Sequence, residues 1–367
     1  MIVVLRDDTA GLVDDLRAVR EAGNVALVGD HRWSRTQWDA ALATAADARL
    51  PGDAAWATLT SGSSGSPRIV LRTAASWADS FPAVAELLGT GPGDSVLLPA
   101  PPSASLTLFS LAHSLEGGPR ALLSPSNAHD VGSLAMCLHG TPQSLRALLD
   151  AGSHPRVHSA LIGGSHLDPA LRDRAEAAGI RVAAYYGAAE LSFVAADEGD
   201  GLRPFPGVDV DIRDGELWVR SPFVALGYVG APGPLRRDGD WASVGDRGEL
   251  VDGRIHLLGR ADDAILSASA TIVPDEVEAA LRSVPGILDA IVFGLPREPV
   301  GALVAAFIEL DGAGPLDLRG ESLERLAAAH RPRRWFAGEL PRTASGKPAR
   351  AEAVRRVLAG EVERLVV

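Results

Sequence analysis

The chain has a single cysteine, Cys137, among 367 residues. An internal disulfide is therefore excluded, and because Cys137 sits in the apolar run Leu134–Leu138 it reads as a buried, inert thiol of a cytoplasmic protein. Excess positive charge is lacking too. With 35 Lys and Arg against 47 Asp and Glu, the formal net charge is -12, which argues against a nucleic-acid binder, since that affinity rests on clustered cations neutralising phosphates. A nucleotide needs only a local basic site. No segment approaches the roughly 18 uncharged apolar residues of a membrane helix. Met1–Leu5 runs straight into Arg6, Asp7 and Asp8, without the basic start and apolar stretch of a signal peptide. Internal repeats, coiled-coil heptads and low-complexity tracts are missing, and the scattered histidines, with His154 and His158 separated by Pro155, make no zinc pattern.

What is present is 46% hydrophobic residues, enough to bury a core in two or more domains. Short apolar runs alternate with helical patterns through the first half, predicting an α/β layer with a mainly parallel sheet. The expected strands are Ile2–Leu5, Val25–Val28, Trp56–Leu59, Ser95–Leu98, Leu134–Leu138, Ala160–Ile162 and Val182–Tyr185. Helix starts are signalled by Ser34 with Gln37, a capping box, by Thr141 before Pro142, and by Asp168 before Pro169, while Gly179 marks a stop. From Val208 to Leu258 close-set β runs broken by Asp214-Gly215 and Asp252-Gly253 predict antiparallel hairpins. Gly89–Gly93 and Gly230–Gly239 read as loops. A smaller α+β pattern follows, with a helix from Pro274, strands near Ile287–Leu295 and Ala302–Leu310, and helices around Leu323 and Ala351.

The strongest local signal is Thr60-Ser61-Gly62-Ser63-Ser64-Gly65-Ser66-Pro67-Arg68, directly after a predicted strand. Small residues let backbone N–H groups approach an anion, hydroxyls add donors, and Arg68 adds fixed charge. The Gly-Lys-Ser/Thr ending of a Walker A loop is absent, and a polar loop of no special chemistry fits the stretch equally well on its own.

Further segments in order settle the balance. The Ser/Gly loop, Gly163-Gly164-Ser165, Tyr185-Tyr186-Gly187-Ala188-Ala189-Glu190, Gly215-Glu216-Leu217-Trp218-Val219 with Gly227-Tyr228, Gly245-Asp246, Gly259-Arg260-Ala261-Asp262-Asp263 and Ser345-Gly346-Lys347 together resemble the motif series of the AMP-forming acyl-CoA synthetase, adenylation-domain and luciferase superfamily. The resemblance covers about Trp56 to Arg350 and is closest in layout to the short o-succinylbenzoate–CoA ligases.

That resemblance implies an α/β fold: a large N-terminal domain with a β-rich subdomain over residues 1–259, a hinge over 260–263 with Asp262 as its pivot, and a small mobile α+β domain over 264–367. It implies ATP, Mg²⁺ and CoA as reactants and cofactors, and a small-molecule carboxylic acid as substrate. Thr60, Ser61, Gly62, Ser63, Ser64, Gly65 and Arg68 would hold the phosphates, and Gly163, Gly164, Ser165, Tyr186 and Gly187 the adenine. Asp246 and Arg260 would hold the ribose, Glu190 the metal, and Lys347 would stabilise charge as the carboxylate attacks the α-phosphorus.

Five departures stand out. Arg68 replaces the usual Lys, and Ala189 a Thr or Ser; Pro102 lies near where the family has a His. Ser267-Ala268-Ser269-Ala270 stands where acyl-CoA synthetases carry a Gly-Gly pair, and side chains there would narrow the pantetheine path. The stretch before the Ser/Gly loop is also shorter than in typical members. Transfer to CoA, to a carrier protein or to an amine all remain open, as does a nucleotide-binding protein without turnover, and a homodimer is the default assembly.

Overall fold

A computed structural model describes all residues except 10, 61–67, 124–135, 153–155, 261–264, 268–269, 273, 298–300, 313–316, 344–345 and 366–367, and the backbone alone of some others, Thr60 and Arg260 among them. The elements fall into four sheets. In the first, Ile2–Arg6, Val25–Gly29 and Ala54–Thr60 run parallel, and Arg68–Thr73 then Gly227–Gly230 add on antiparallel. In the second, Arg120–Leu123, Ser95–Leu98, Cys137–Gly140, Ser159–Ile162 and Arg181–Ala188 are parallel, with Ser192–Asp197 and Arg203–Pro204 turned back against the far edge. The expected mainly parallel layer is thus two mixed sheets, because single-strand reversals after Thr60 and Ala188 close each one with a hairpin.

The local signals are legible in the structure. Ser34 and Gln37 form a reciprocal capping box on the helix Arg35–Ala46. Thr141 and Asp168 each cap a helix that begins with proline, Pro142–Ala151 and Pro169–Ala177. The third sheet is antiparallel throughout, from Asp209–Arg213 to Arg254–Arg260. Both of its Asp-Gly turns have two residues in the left-handed region, Asp214 and Gly215 at φ 52° and 75°, Asp252 and Gly253 at 52° and 73°. That is the hairpin turn whose twist suits the flanking strands. The stretch 230–239, expected as loop, contains the strand Arg236–Asp238 paired with Trp241–Ser243. Prolines and glycines before it hide an edge strand whose exposed residues leave no alternating pattern. The strand expected at Leu134–Leu138 is described from Cys137 to Gly140.

One large apolar cluster joins these three sheets, threaded by an aromatic series, Trp77, Phe109, Phe193, Phe205 and Phe223, with neighbouring ring centroids 5.0–5.8 Å apart. Cys137 lies inside it; its thiol donates to the Ser95 carbonyl, and burial pushes its pKa up to about 12. The fourth sheet is built on the long hairpin Ile287–Arg297 and Gly301–Leu310. Two apolar clusters flank it, and both draw only on residues from Ile265 onward. Among the described residues no helix is long and apolar enough to cross a membrane.

Candidate active site

In the second sheet two neighbouring parallel strands end in register at Gly140 and Ile162, and the third, level with them at Ala184, runs on to Ala188. The carboxyl ends of such strands are where open α/β sheets bind ligands. Here they present Thr141, the Gly163-Gly164 turn and Tyr185-Tyr186-Gly187. Glycine is required at the turn for steric reasons: a side chain at Gly163 would collide with the Tyr185 ring, and Gly164 has φ 90°. A carbon attached at Gly164 would lie 2.7 Å from Cε and 3.6 Å from Nζ of Lys347. The lysine from the last part of the chain therefore lies over a turn from its middle. Ser165, next in sequence, is exposed.

Beside this turn the Tyr186 hydroxyl donates to Asp246 Oδ2. Asp246 opens the strand Asp246–Val251, and its cross-strand partner is Arg260, the last residue of Arg254–Arg260. The structure thus brings Gly163, Gly164, Tyr186, Gly187, Asp246 and Lys347 into one region and places the Arg260 backbone opposite Asp246.

A second group surrounds Glu190. Its side chain is 6% exposed, and Oε1 accepts a hydrogen bond of 2.8 Å from the Tyr228 hydroxyl, which itself accepts the Leu235 N–H at 3.1 Å. Burial, then the Glu190 charge, raises the Tyr228 pKa, so the phenol stays a donor. Arg68 is close enough to oppose that shift, and among the described residues its buried Nε has no hydrogen-bond partner. A buried cationic donor left open is suited to an anion. Behind Glu190 lies Arg72, fully buried, donating through Nε and Nη2 to the Ala189 carbonyl at 3.0 and 2.6 Å and through Nη1 to the Phe223 carbonyl at 2.6 Å. Arg72 so fixes the turn that carries Glu190. Sequence reasoning missed it, although one arginine in the apolar run Ile-Val-Leu-Arg is a signal that a buried charge must find partners.

A third group lines the region under Gly163. His139 is fully buried between Ser110 Oγ, 2.6 Å from Nδ1, and the Tyr185 hydroxyl, 3.1 Å from Nε2, with Phe109 and Phe193 packed around the rings. Burial lowers the His139 pKa to about 3, so the imidazole is neutral and links two hydroxyls. Ser110 and Phe109 belong to the helix Ser105–Leu115.

Several expected site residues lie outside the described residues: Ser61, Gly62, Ser63, Ser64 and Gly65 of the Ser/Gly loop, Asp262 of the hinge, Ala268 and Ser269, and the side chains of Thr60 and Arg260. The backbone of that loop's ends is described, with Thr60 paired to Arg68 across a hairpin.

The family model described as AMP-binding enzyme matches residues 2–229, and that of the AMP-binding enzyme C-terminal domain matches residues 276–347. A 2-succinylbenzoate–CoA ligase of Salmonella typhimurium is 32% identical over 295 residues, 76% of this chain and 63% of the relative, so the chain spans under two thirds of that protein. A probable 2-succinylbenzoate–CoA ligase of Mycobacterium tuberculosis is 32% identical over 342 residues, 86% of this chain and 88% of the relative. Among solved structures, a variant of Escherichia coli MenE with bound OSB-AMS superimposes with a TM-score of 0.84 at 25% identity, covering 97% of this chain and 87% of the other.

Proposed function

The chain belongs to the AMP-binding enzyme family, and from that premise we propose that it activates a carboxylic acid with ATP as an acyl-adenylate, releasing pyrophosphate, and passes the acyl group to CoA. The observation that carries the reading is the meeting of Lys347 with the Gly163-Gly164 turn beside the Tyr186–Asp246 pair. Tyr186 offers a ring face to adenine, and Asp246 two oxygens to ribose hydroxyls, with Arg260 opposite as a donor. The open Nε of Arg68 suits a phosphate oxygen delivered by the Thr60–Gly65 loop. Glu190, steadied by Tyr228, is a hard-oxygen ligand for Mg²⁺, which when bound supplies positive charge against the phosphates. Lys347 then stabilises the charge that develops as a carboxylate attacks the α-phosphorus in line.

The acid is o-succinylbenzoate or another aromatic or short acid. That choice is supported by the names of the relatives and by the aromatic surroundings of Tyr185, where Phe109 and Phe193 meet the neutral Ser110–His139–Tyr185 chain. The domains are 1–259 and 264–367, with 260–263 as the hinge about Asp262; the separate apolar clusters after Ile265 support that boundary. Rotation of the small domain would exchange the Lys347 face for the hairpin Ile265–Ile272. In that hairpin Ser267 pairs with Ala270, and Ala268 and Ser269 carry side chains that a Gly-Gly pair lacks. This favours a second reading in which a carrier protein or an amine, rather than CoA, receives the acyl group.

Acid-dependent ATP–pyrophosphate exchange over a panel including o-succinylbenzoate, benzoates and short-chain acids tests the first half-reaction. Exchange with at least one acid, cut to a small residual rate by Lys347→Ala, is expected. A flat response across the panel with ATP still bound would identify a nucleotide-binding protein without turnover. Product analysis with CoA, carrier protein and amines then separates the acceptors.

A further inference from the structure

The loop that carries Lys347 is held by a charged fork. Thr343 closes it from within: its N–H donates to the Lys347 carbonyl at 2.7 Å, its carbonyl accepts the Gly346 N–H at 2.9 Å, and its Oγ1 accepts the Lys347 N–H at 3.2 Å. A bridge between Arg342 and Pro348 joins the two ends. None of these bonds ties the loop to the sheet beneath. Arg342 does: Nη1 donates to Asp289 at 3.0 Å and Nη2 to Glu309 at 2.6 Å, with Nη1 also 3.4 Å from the Gly346 carbonyl. Asp289 and Glu309 are cross-strand partners in the long hairpin, and all three side chains are largely buried.

The fork is the end of a longer series. Asp289 also accepts from Arg282, Arg282 donates to Glu278, and Glu278 accepts from Arg350, which reaches Asp275. Burial alone would raise the Asp289 carboxyl, but the Arg282 and Arg342 charges outweigh it and hold the pKa below the usual range. Arg350 also donates to the Val292 carbonyl of the long hairpin, so both ends of the segment Pro341–Arg350 are clamped by arginines onto the same sheet. On its outer side the loop meets the large domain: a carbon on Gly346 would stand 2.6 Å from Gln143 Oε1 and 3.3 Å from Thr141 Oγ1, at the start of the helix Pro142–Ala151.

We infer that Arg342 is a positioning residue for Lys347: its two-point clamp on Asp289 and Glu309 sets the height of the Gly346–Lys347 backbone above the sheet, and so where the lysine ammonium stands over Gly164. The inference rests on the proposed adenylation. A planar fork suits this work because it fixes direction as well as distance, and a misplacement of about 1 Å at a reacting centre costs on the order of a hundredfold in rate.

The test compares Arg342→Gln and Arg342→Lys in the full chain, each alone and with Lys347→Ala. Arg342→Gln is expected to lower kcat in acid-dependent exchange about ten- to a hundredfold with KM for ATP changed less than about threefold. Arg342→Lys should recover part of the loss, and neither change should slow the Lys347→Ala enzyme further. Hydrogen exchange at the Gly346 and Lys347 amides should rise at least about tenfold in Arg342→Gln while the Ile287–Leu310 hairpin stays protected. An unchanged kcat, or an equal loss in the Lys347→Ala background, overturns the inference. So does unchanged protection at Gly346 and Lys347. The amide measurement needs no turnover, so a chain inactive with every acid would defeat the adenylation reading while the clamp is still judged on its own.

Discussion

Replacing Arg72 by methionine, close in length and without charge, should destabilise the fold and disturb Glu190 together. Burial lowers the guanidinium pKa to about 9, opposed by Glu190, which leaves it charged at neutral pH. Its three short bonds to the Ala189 and Phe223 carbonyls are therefore charge-assisted. At ~1.5–3 kcal/mol for each such bond the loss amounts to about 4–9 kcal/mol. Removing a charge from a dry site returns part of that, because the methionine carries no desolvation penalty. The expected net is about 3 kcal/mol, close to what other broken buried charge networks cost. Urea unfolding at pH 7 reads it as a lower midpoint with an unchanged slope. Exchange activity, measured where the variant is fully folded, should fall as well, since the Ala189-Glu190 turn loses its anchor. A destabilisation below about 1 kcal/mol with normal exchange would refute the assignment, showing that the two carbonyls find other donors.

Tyr228→Phe removes the hydroxyl on Glu190 Oε1 and should raise the magnesium concentration for half-maximal exchange about tenfold, with the melting temperature little changed; an unaltered magnesium requirement would count against Glu190 as the metal ligand. His139 and His113 fold as neutral imidazoles, lowered by burial to about 3 and about 4, whereas in the unfolded chain they take up protons near pH 6.5. Stability should thus be lost as pH falls from about 6.5 toward those values, by about 2 kcal/mol per histidine at pH 5, and urea midpoints for His139→Leu should show a shallower acid limb. Gly187→Ala drives a carbon into the Ser192 carbonyl across the hairpin and should cost at least about 2 kcal/mol, read by thermal unfolding; a melting temperature equal to the parent would show that the two strands can part at no expense.

Much of the fold was legible locally. Apolar runs marked the parallel strands of both mixed sheets apart from Arg120–Leu123, and Ser34, Thr141 and Asp168 marked helix starts, because capping is decided by a few adjacent atoms. Asp214-Gly215 and Asp252-Gly253 announced hairpins for the same reason. Pairing direction was not legible: nothing in the run Arg68–Thr73 says that it doubles back on Ala54–Thr60. In the candidate site, Tyr186, Glu190, Asp246 and Lys347 were singled out by the resemblance of their segments to a family's motif series. Arg72, Arg342 and the Ser110–His139–Tyr185 chain escaped, because each owes its meaning to partners far away in sequence, such as the Phe223 carbonyl for Arg72 or Glu309 for Arg342.

The contact of Gly164 with Lys347 also bears on how the molecule comes into being. During synthesis the parallel strands, the Gly163-Gly164 turn and the Tyr186–Asp246 pair are all made before the ribosome reaches Lys347. Domains fold as units and from the N-terminal side first. A nascent chain can therefore acquire this surface while it still lacks the residue set over that turn. Under the adenylation proposed above, binding competence would precede reactivity in the life of each molecule, and a truncated product of interrupted translation would compete for nucleotide without consuming it.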